Sequence, residues 1–80
     1  MFCVYILHSI KAPTQIYVGF STNPQKRLSA HNAGQSPHTN RLRPWKITSY
    51  FAFEDERRAH EFEKYLKTSY GIAFRNKHLI

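Results

Sequence analysis

The sequence predicts an α+β domain: a three-stranded, mostly antiparallel sheet flanked by helices, in the order ββαβα with a short C-terminal helix. Three observations carry this. Apolar runs rich in β-branched and aromatic residues recur at 2–7, 15–20 and 45–53, the composition of strands. Between and after them stand two segments with helix-start chemistry, Asn23-Pro24 and Glu54-Asp55-Glu56. The connector at 9–14 is short and contains Pro13, so the first two strands form an antiparallel hairpin rather than a crossover.

Each element follows from local chemistry. Residues 2–7 form a buried strand. In the second strand, alternation puts Tyr17 and Gly19 on one face and Ile16 and Val18 on the other. The first helix opens with a capping side chain followed by proline at its first position. It runs to about Asn32, with Gly34 as the residue that ends it. Residues 35–44 are polar and basic and read as a loop. The second helix opens on acids that suit the positive end of its dipole. Its apolar stripe is Ala59, Phe62 and Leu66, and it ends near Thr68 with Gly71 just beyond. A short turn or helix at 73–77 closes the chain.

A chain of 80 residues makes one domain, covering 1–80. Domains of this size bury about 60% of their unfolded surface. Hydrophobic residues make up 41% of the chain, enough for one packed core and too many for a disordered chain. The formal charge of +7 points to a polyanion as partner. The lone Cys3 excludes a disulfide framework and fits a reducing, cytoplasmic setting. The apolar run at the N-terminus is too short for a membrane span or a signal segment, so no membrane partner is expected. His8, His31, His38, His60 and His78 show no ligand spacing, and one cysteine cannot complete a structural zinc site.

Three features carry chemistry. Tyr17-Val18-Gly19 ends the second strand, and a strand glycine marks a close approach of another group. Arg27 and His31 are four apart, on one face of the first helix. Arginine supplies the planar cation that a phosphate needs, and a histidine beside it can donate a hydrogen bond or move a proton. Taken singly, these two features read more simply as a core tyrosine and a solvated basic face. Glu63 is the third. It falls at the border of the second helix's apolar stripe, together with Glu56, His60 and Lys67, partly sheltered yet reachable. One carboxylate with waters and substrate oxygens is a common way to hold Mg²⁺. The plainer account of Glu63 is an i,i+4 pair with Lys67. Glu61 points to the opposite side.

In order and spacing these residues resemble the GIY-YIG endonuclease superfamily. The likeness rests on CVYIL at 3–7, YVG at 17–19, Arg27, HN at 31–32 and FEKYLK at 62–67. It extends to RPWKI at 43–47 and YGIAFRNKHL at 70–79, and is nearest to small stand-alone members similar to the nuclease domain of excinuclease ABC. The resemblance implies an endonuclease that hydrolyses DNA phosphodiesters, in repair or in processing of structured DNA, with RNA left open as a further substrate. It implies that Tyr5 and Tyr17 are the two motif tyrosines, Tyr17 being next to the attacking water. Arg27 would stabilise the pentacovalent phosphate, and His31 would sit near the nucleophile. Glu63 would be the sole protein ligand of one Mg²⁺ or Mn²⁺, and no small-molecule cofactor is implied. Arg41, Arg43, Lys67 and Asn76 are weaker nucleic-acid contacts.

The chain departs from the family pattern at Cys3, where a glycine is usual, and at Phe20, where a polar or basic residue is common. A family asparagine falls at Arg75 by spacing, with Asn76 one later. The rival reading is a non-catalytic nucleic-acid-binding module on the same scaffold. Such a module has no use for Glu63, whose charge repels phosphate unless a cation bridges them. No dimer element stands out, so a monomer is expected, with targeting left to other proteins.

Overall fold

The computed structural model describes residues 1–79. Strands β1 (Phe2–Ser9), β2 (Ile16–Ser21) and β3 (Trp45–Phe53) form one sheet, with α1 (Pro24–Asn32), α2 (Glu56–Leu66) and α3 (Ser69–His78) around it. The spatial order is β2-β1-β3, and both pairings are antiparallel. The predicted fold class therefore holds.

The apolar run of β1 makes it the central strand, covered on both faces. Val4 and Ile6 point to one side, where they pack with Val18, Ala59 and Leu66 beneath α2. Tyr5 and Leu7 point to the other, where they meet Trp45, with Tyr17, Leu28, Leu42 and Ile47 around them. Tyr5, Ile6, Leu7 and Leu66 are fully buried. Removing an aliphatic side chain such as Leu66 from this core would cost about 2–5 kcal/mol.

The caps work as the sequence suggests. The Asn23 side chain accepts from the Lys26 amide, with proline opening α1. The Asp55 side chain accepts from the Arg57 amide at 2.9 Å. Gly34 follows α1 with a φ of 78°.

Two expectations are corrected. The segment 35–44 is not wholly irregular, since Asn40–Leu42 winds into a short 3₁₀ turn. The short turn or helix expected at 73–77 is a helix, but a longer one, ten residues from Ser69 to His78. The reason lies in Thr68, which caps α3 by accepting from the Gly71 amide at 3.2 Å. Thr68 Oγ1 also donates to the Tyr65 carbonyl at 2.6 Å. Gly71 does not stop α2 but lets α3 fold back onto it. A Cβ there would collide with the Tyr65 carbonyl oxygen.

Candidate active site

On the α1 face of the sheet, three rings gather. The Tyr17 ring meets the His31 ring edge-on, with centroids 4.9 Å apart. Tyr5 lies 6.3 Å from Tyr17 and 6.1 Å from His31, centroid to centroid. Register explains the grouping. Tyr5 on β1 is opposite Gly19 on β2, and Tyr17 is opposite Leu7, so both tyrosines share one face. A Cβ at Gly19 would land on the Tyr5 ring and within 2.9 Å of the Tyr17 ring. The glycine thus admits a tyrosine ring from the neighbouring strand, a side chain rather than a backbone.

His31 is 1% exposed, so it is no part of a solvated face. Its Nε2 is 3.1 Å from the Tyr5 hydroxyl and its Nδ1 is 2.8 Å from Thr39 Oγ1. Burial pushes the His31 imidazole below its ordinary range, and the nearby Arg27 charge pushes the same way. The ring is therefore neutral near pH 7. One nitrogen donates and the other accepts, so the chain Tyr5–His31–Thr39 runs with a single polarity. Thr39 is in turn fixed, its carbonyl accepting from the Trp45 indole at 2.9 Å.

Tyr5 is fully buried, and burial raises its hydroxyl above the ordinary value. The Arg27 guanidinium beside it works against that rise, while the charge of Glu63 adds slightly to it. Tyr5 is thus a protonated, water-excluded hydroxyl, unsuited to meet an attacking water. Tyr17 is only half-buried, which makes it the accessible phenol of the pair. Arg27 is exposed and held charged by its tyrosine neighbour, so its outer edge is open to an anion.

Glu63 approaches from α2. The His60 ring stacks on Phe20 of β2, centroids 4.0 Å apart, which turns this border of the helix toward the β2 edge. Glu63 lies next to His60 on it, with Oε1 3.5 Å from His60 Nδ1. Its other oxygen accepts from Lys67 Nζ at 3.0 Å, and the side chain is 19% exposed. Glu61 instead pairs with Arg57 in solvent. A lone, sheltered carboxylate fits a divalent ion that keeps most of its waters. Among the described residues no cluster of three or more His, Cys, Asp or Glu side chains forms an all-protein metal cage.

Of the other sequence candidates, only Lys67 is drawn to a site residue among the described residues. Arg41 and Arg43 flank Leu42 at the loop end of the sheet, and Lys67 is engaged with Glu63. Asn76 is exposed in the last turns of α3, with nothing drawing it to the rings. Two residues hold the site without a role assigned to them from the sequence, Asn32 in the HN pair at 31–32 and Thr39 outside the motifs. Thr39 buttresses His31, and Asn32 clamps the start of β3. The Asn32 amide donates to the Trp45 carbonyl at 3.0 Å and its oxygen accepts from the Trp45 amide at 2.6 Å. Trp45 is the available signal for Thr39, because a buried indole N–H requires an acceptor.

Similarity to known proteins gives the family. The family model for the GIY-YIG catalytic domain matches residues 1–76. The chain belongs to the GIY-YIG family. Its relatives include the structure-specific endonuclease subunit SLX1 of Kluyveromyces lactis, 35% identical, with 91% of this chain and 28% of that protein covered. The subunit slx1 of Talaromyces marneffei is 38% identical, covering 78% of this chain and 18% of its own length. An SLX1 homolog of Leishmania major is 38% identical, covering 76% and 10%. This GIY-YIG chain therefore spans under a third of the length of these curated relatives.

Proposed function

We propose that this GIY-YIG domain is an endonuclease that hydrolyses phosphodiester bonds of DNA. The observation that carries the reading is the meeting of an accessible phenol and an exposed guanidinium over one buried tyrosine–histidine pair, with the sheltered Glu63 carboxylate close enough for its charge to be felt at Tyr5. Tyr17 orients the attacking water at its hydroxyl. Arg27 offers its fork to the phosphoryl oxygens, where negative charge grows as the phosphorus becomes five-coordinate. Tyr5 and His31 do not touch substrate; they hold the Tyr17 ring and Arg27 in place from below. Glu63 would hold one Mg²⁺ or Mn²⁺, which would supply Lewis acidity at the phosphate and at the leaving oxygen. Lys67 would then be released from Glu63 toward the substrate.

The relatives are named as structure-specific endonuclease subunits, which supports a substrate recognised by its structure and at least one further subunit. Neither belongs to the residues of the site. The test is incubation of the purified protein with labelled duplex, flap, branched and single-stranded DNA, and with RNA, in Mg²⁺ or in EDTA. Cleavage of DNA in Mg²⁺ alone, lost in Glu63→Gln and kept in Glu61→Gln, is the expected result. Undiminished cleavage by Glu63→Gln would remove the metal assignment. Binding without cleavage under every condition would leave a non-catalytic module.

A further inference from the structure

The charge of this chain is unevenly placed. Residues 1–53 carry six Lys or Arg and no acid, whereas residues 54–80 carry six and all five acids. The first part therefore holds +6 of the net +7. In the fold, every acid lies on α2 or in the two residues before it. The loop end of the sheet, where β1 turns into β2 and the segment 36–42 lies against the turn, has no negative side chain.

That end contains a cleft of about 430 Å³ lined by Lys11, His38, Arg41 and Leu42. Three of these four present N–H donors and none presents a carboxylate. Neither Lys11 nor Arg41 takes part in an ion pair among the described residues. The walls are fixed to each other. Ser9, wholly buried, accepts from the Ala12 amide at 2.9 Å and donates to the Leu42 carbonyl at 2.6 Å. The Ile10 amide donates to the Pro44 carbonyl at 2.9 Å. Two cations and an imidazole are thus held around one cavity on a tied frame, and among the described residues no acidic side chain pairs with Lys11 or Arg41.

We propose that this cleft binds a backbone phosphate of the DNA, remote from the scissile one, as a second anchor for the substrate. The proposal rests on the DNA reading above and adds its outer binding site. A cavity of this size takes a phosphate with its sugar, since small-ligand sites start near 300 Å³. The cleft also bears on the catalytic cluster. Thr39 stands between His38 and Arg41 in the chain, and it is the residue that meets His31 Nδ1 at 2.8 Å. A phosphate seated between Lys11 and Arg41 steadies the same segment that holds His31 against Tyr5. The duplex is then gripped at two points, by Arg27 at the reacting phosphate and by the cleft further along the backbone.

The test uses the full chain and the double variant K11Q/R41Q. Both side chains are exposed, so thermal melts of variant and parent should coincide. The probe is a fluorescein-labelled duplex in EDTA, its affinity followed by anisotropy across a salt series. Each lost phosphate contact lowers the slope of log affinity against log salt by about 0.9, so the double variant should flatten it by about 2 if each residue makes one contact. The control R57Q/R58Q removes two cations already paired with Glu61 and Asp55 and should leave the slope near the parent's. Equal slopes for parent and K11Q/R41Q would overturn the proposal. Amide spectra of the parent give a second reading. Duplex should shift Lys11, His38 and Arg41, and shifts confined to the surroundings of Tyr17, Arg27 and Glu63 would also overturn it. Cleavage with an unchanged slope removes the cleft and leaves the nuclease. A flattened slope without cleavage of any DNA keeps the cleft and removes the nuclease.

Discussion

The Tyr5 hydroxyl and His31 Nε2 lie 3.1 Å apart with both side chains out of water. Neither is placed to exchange protons with solvent. The pair forms a rigid floor, and the groups that can meet a substrate, Tyr17 and Arg27, stand on it. Mutations in the floor should therefore act through geometry and stability, and mutations above it through rate.

Thr39 tests the floor. Thr39→Val keeps the shape and removes the partner of His31 Nδ1. A buried polar atom left without a partner costs about 1–3 kcal/mol. In a domain of this size each kcal/mol lowers Tm by roughly 4–8 °C. Thr39→Ser keeps the hydroxyl and should recover most of the loss. Equal melting of the valine variant and the parent would mean that the His31–Thr39 bond contributes nothing.

Histidine burial sets the acid side of the stability curve. The folded-state values of His31 and His8 lie below the ordinary 6.5, from burial and then from Arg27 and Lys46 respectively. Below about pH 6.5 the unfolded chain takes up protons that the folded chain refuses. Stability contributed by the neutral rings is thus full above pH 6.5 and is lost as pH falls toward the folded-state values. Tm measured from pH 7.5 downward should decline, and His31→Asn should decline less while remaining less stable at neutral pH. Parallel curves for the two proteins would deny His31 this role.

Much of this was legible in the sequence, and the gaps have physical causes. The strands followed from β-branched runs, and the starts of α1 and α2 from Asn23 and Asp55. Alternation alone placed Tyr17 and Gly19 on one face. The extent of α3 was hidden because Gly71, a helix breaker by propensity, is retained for close packing on Tyr65, which is a tertiary effect. The pairing of His31 with Thr39 was hidden because it joins α1 to a loop whose path is set by Trp45 and Asn32. Spacing also could not separate Arg27 from His31: it puts both residues on one helix face, yet one is exposed and the other buried.

Arg27 separates anchoring from catalysis. Its guanidinium lies beside the Tyr5 hydroxyl, so it is aimed before any substrate arrives. Arg27→Ala should lower the single-turnover rate by about 10²–10³, the usual loss for one donor to a developing oxyanion, while duplex affinity falls far less. Arg27→Lys should rescue poorly, since a point charge lacks the fork. A variant that binds more weakly but cuts at the parent rate when saturated would make Arg27 a phosphate anchor.

The pattern of cuts follows from the number of sites. One chain has one buried Tyr5–His31 pair with one Tyr17 and one Arg27 beside it, and one Glu63 on α2, so one protomer addresses one phosphate at a time. The strands of a duplex run antiparallel, and cutting both in one encounter needs two sites related by a two-fold axis, hence a dimer. The apolar faces of α2 and β1 are used in the core. The exposed aromatics, Tyr50, Tyr65 and Tyr70, are spread over three different elements and form no single apolar stripe on one helix. A single small module also covers little DNA, with interfaces of roughly 600–1,000 Å², so the product of the first cut should leave before a second is made. On supercoiled plasmid, relaxed circles should accumulate well before linear molecules appear, and the ratio should not depend on protein concentration. Linear product formed directly, with no relaxed intermediate, would require two copies acting together on a surface other than those described.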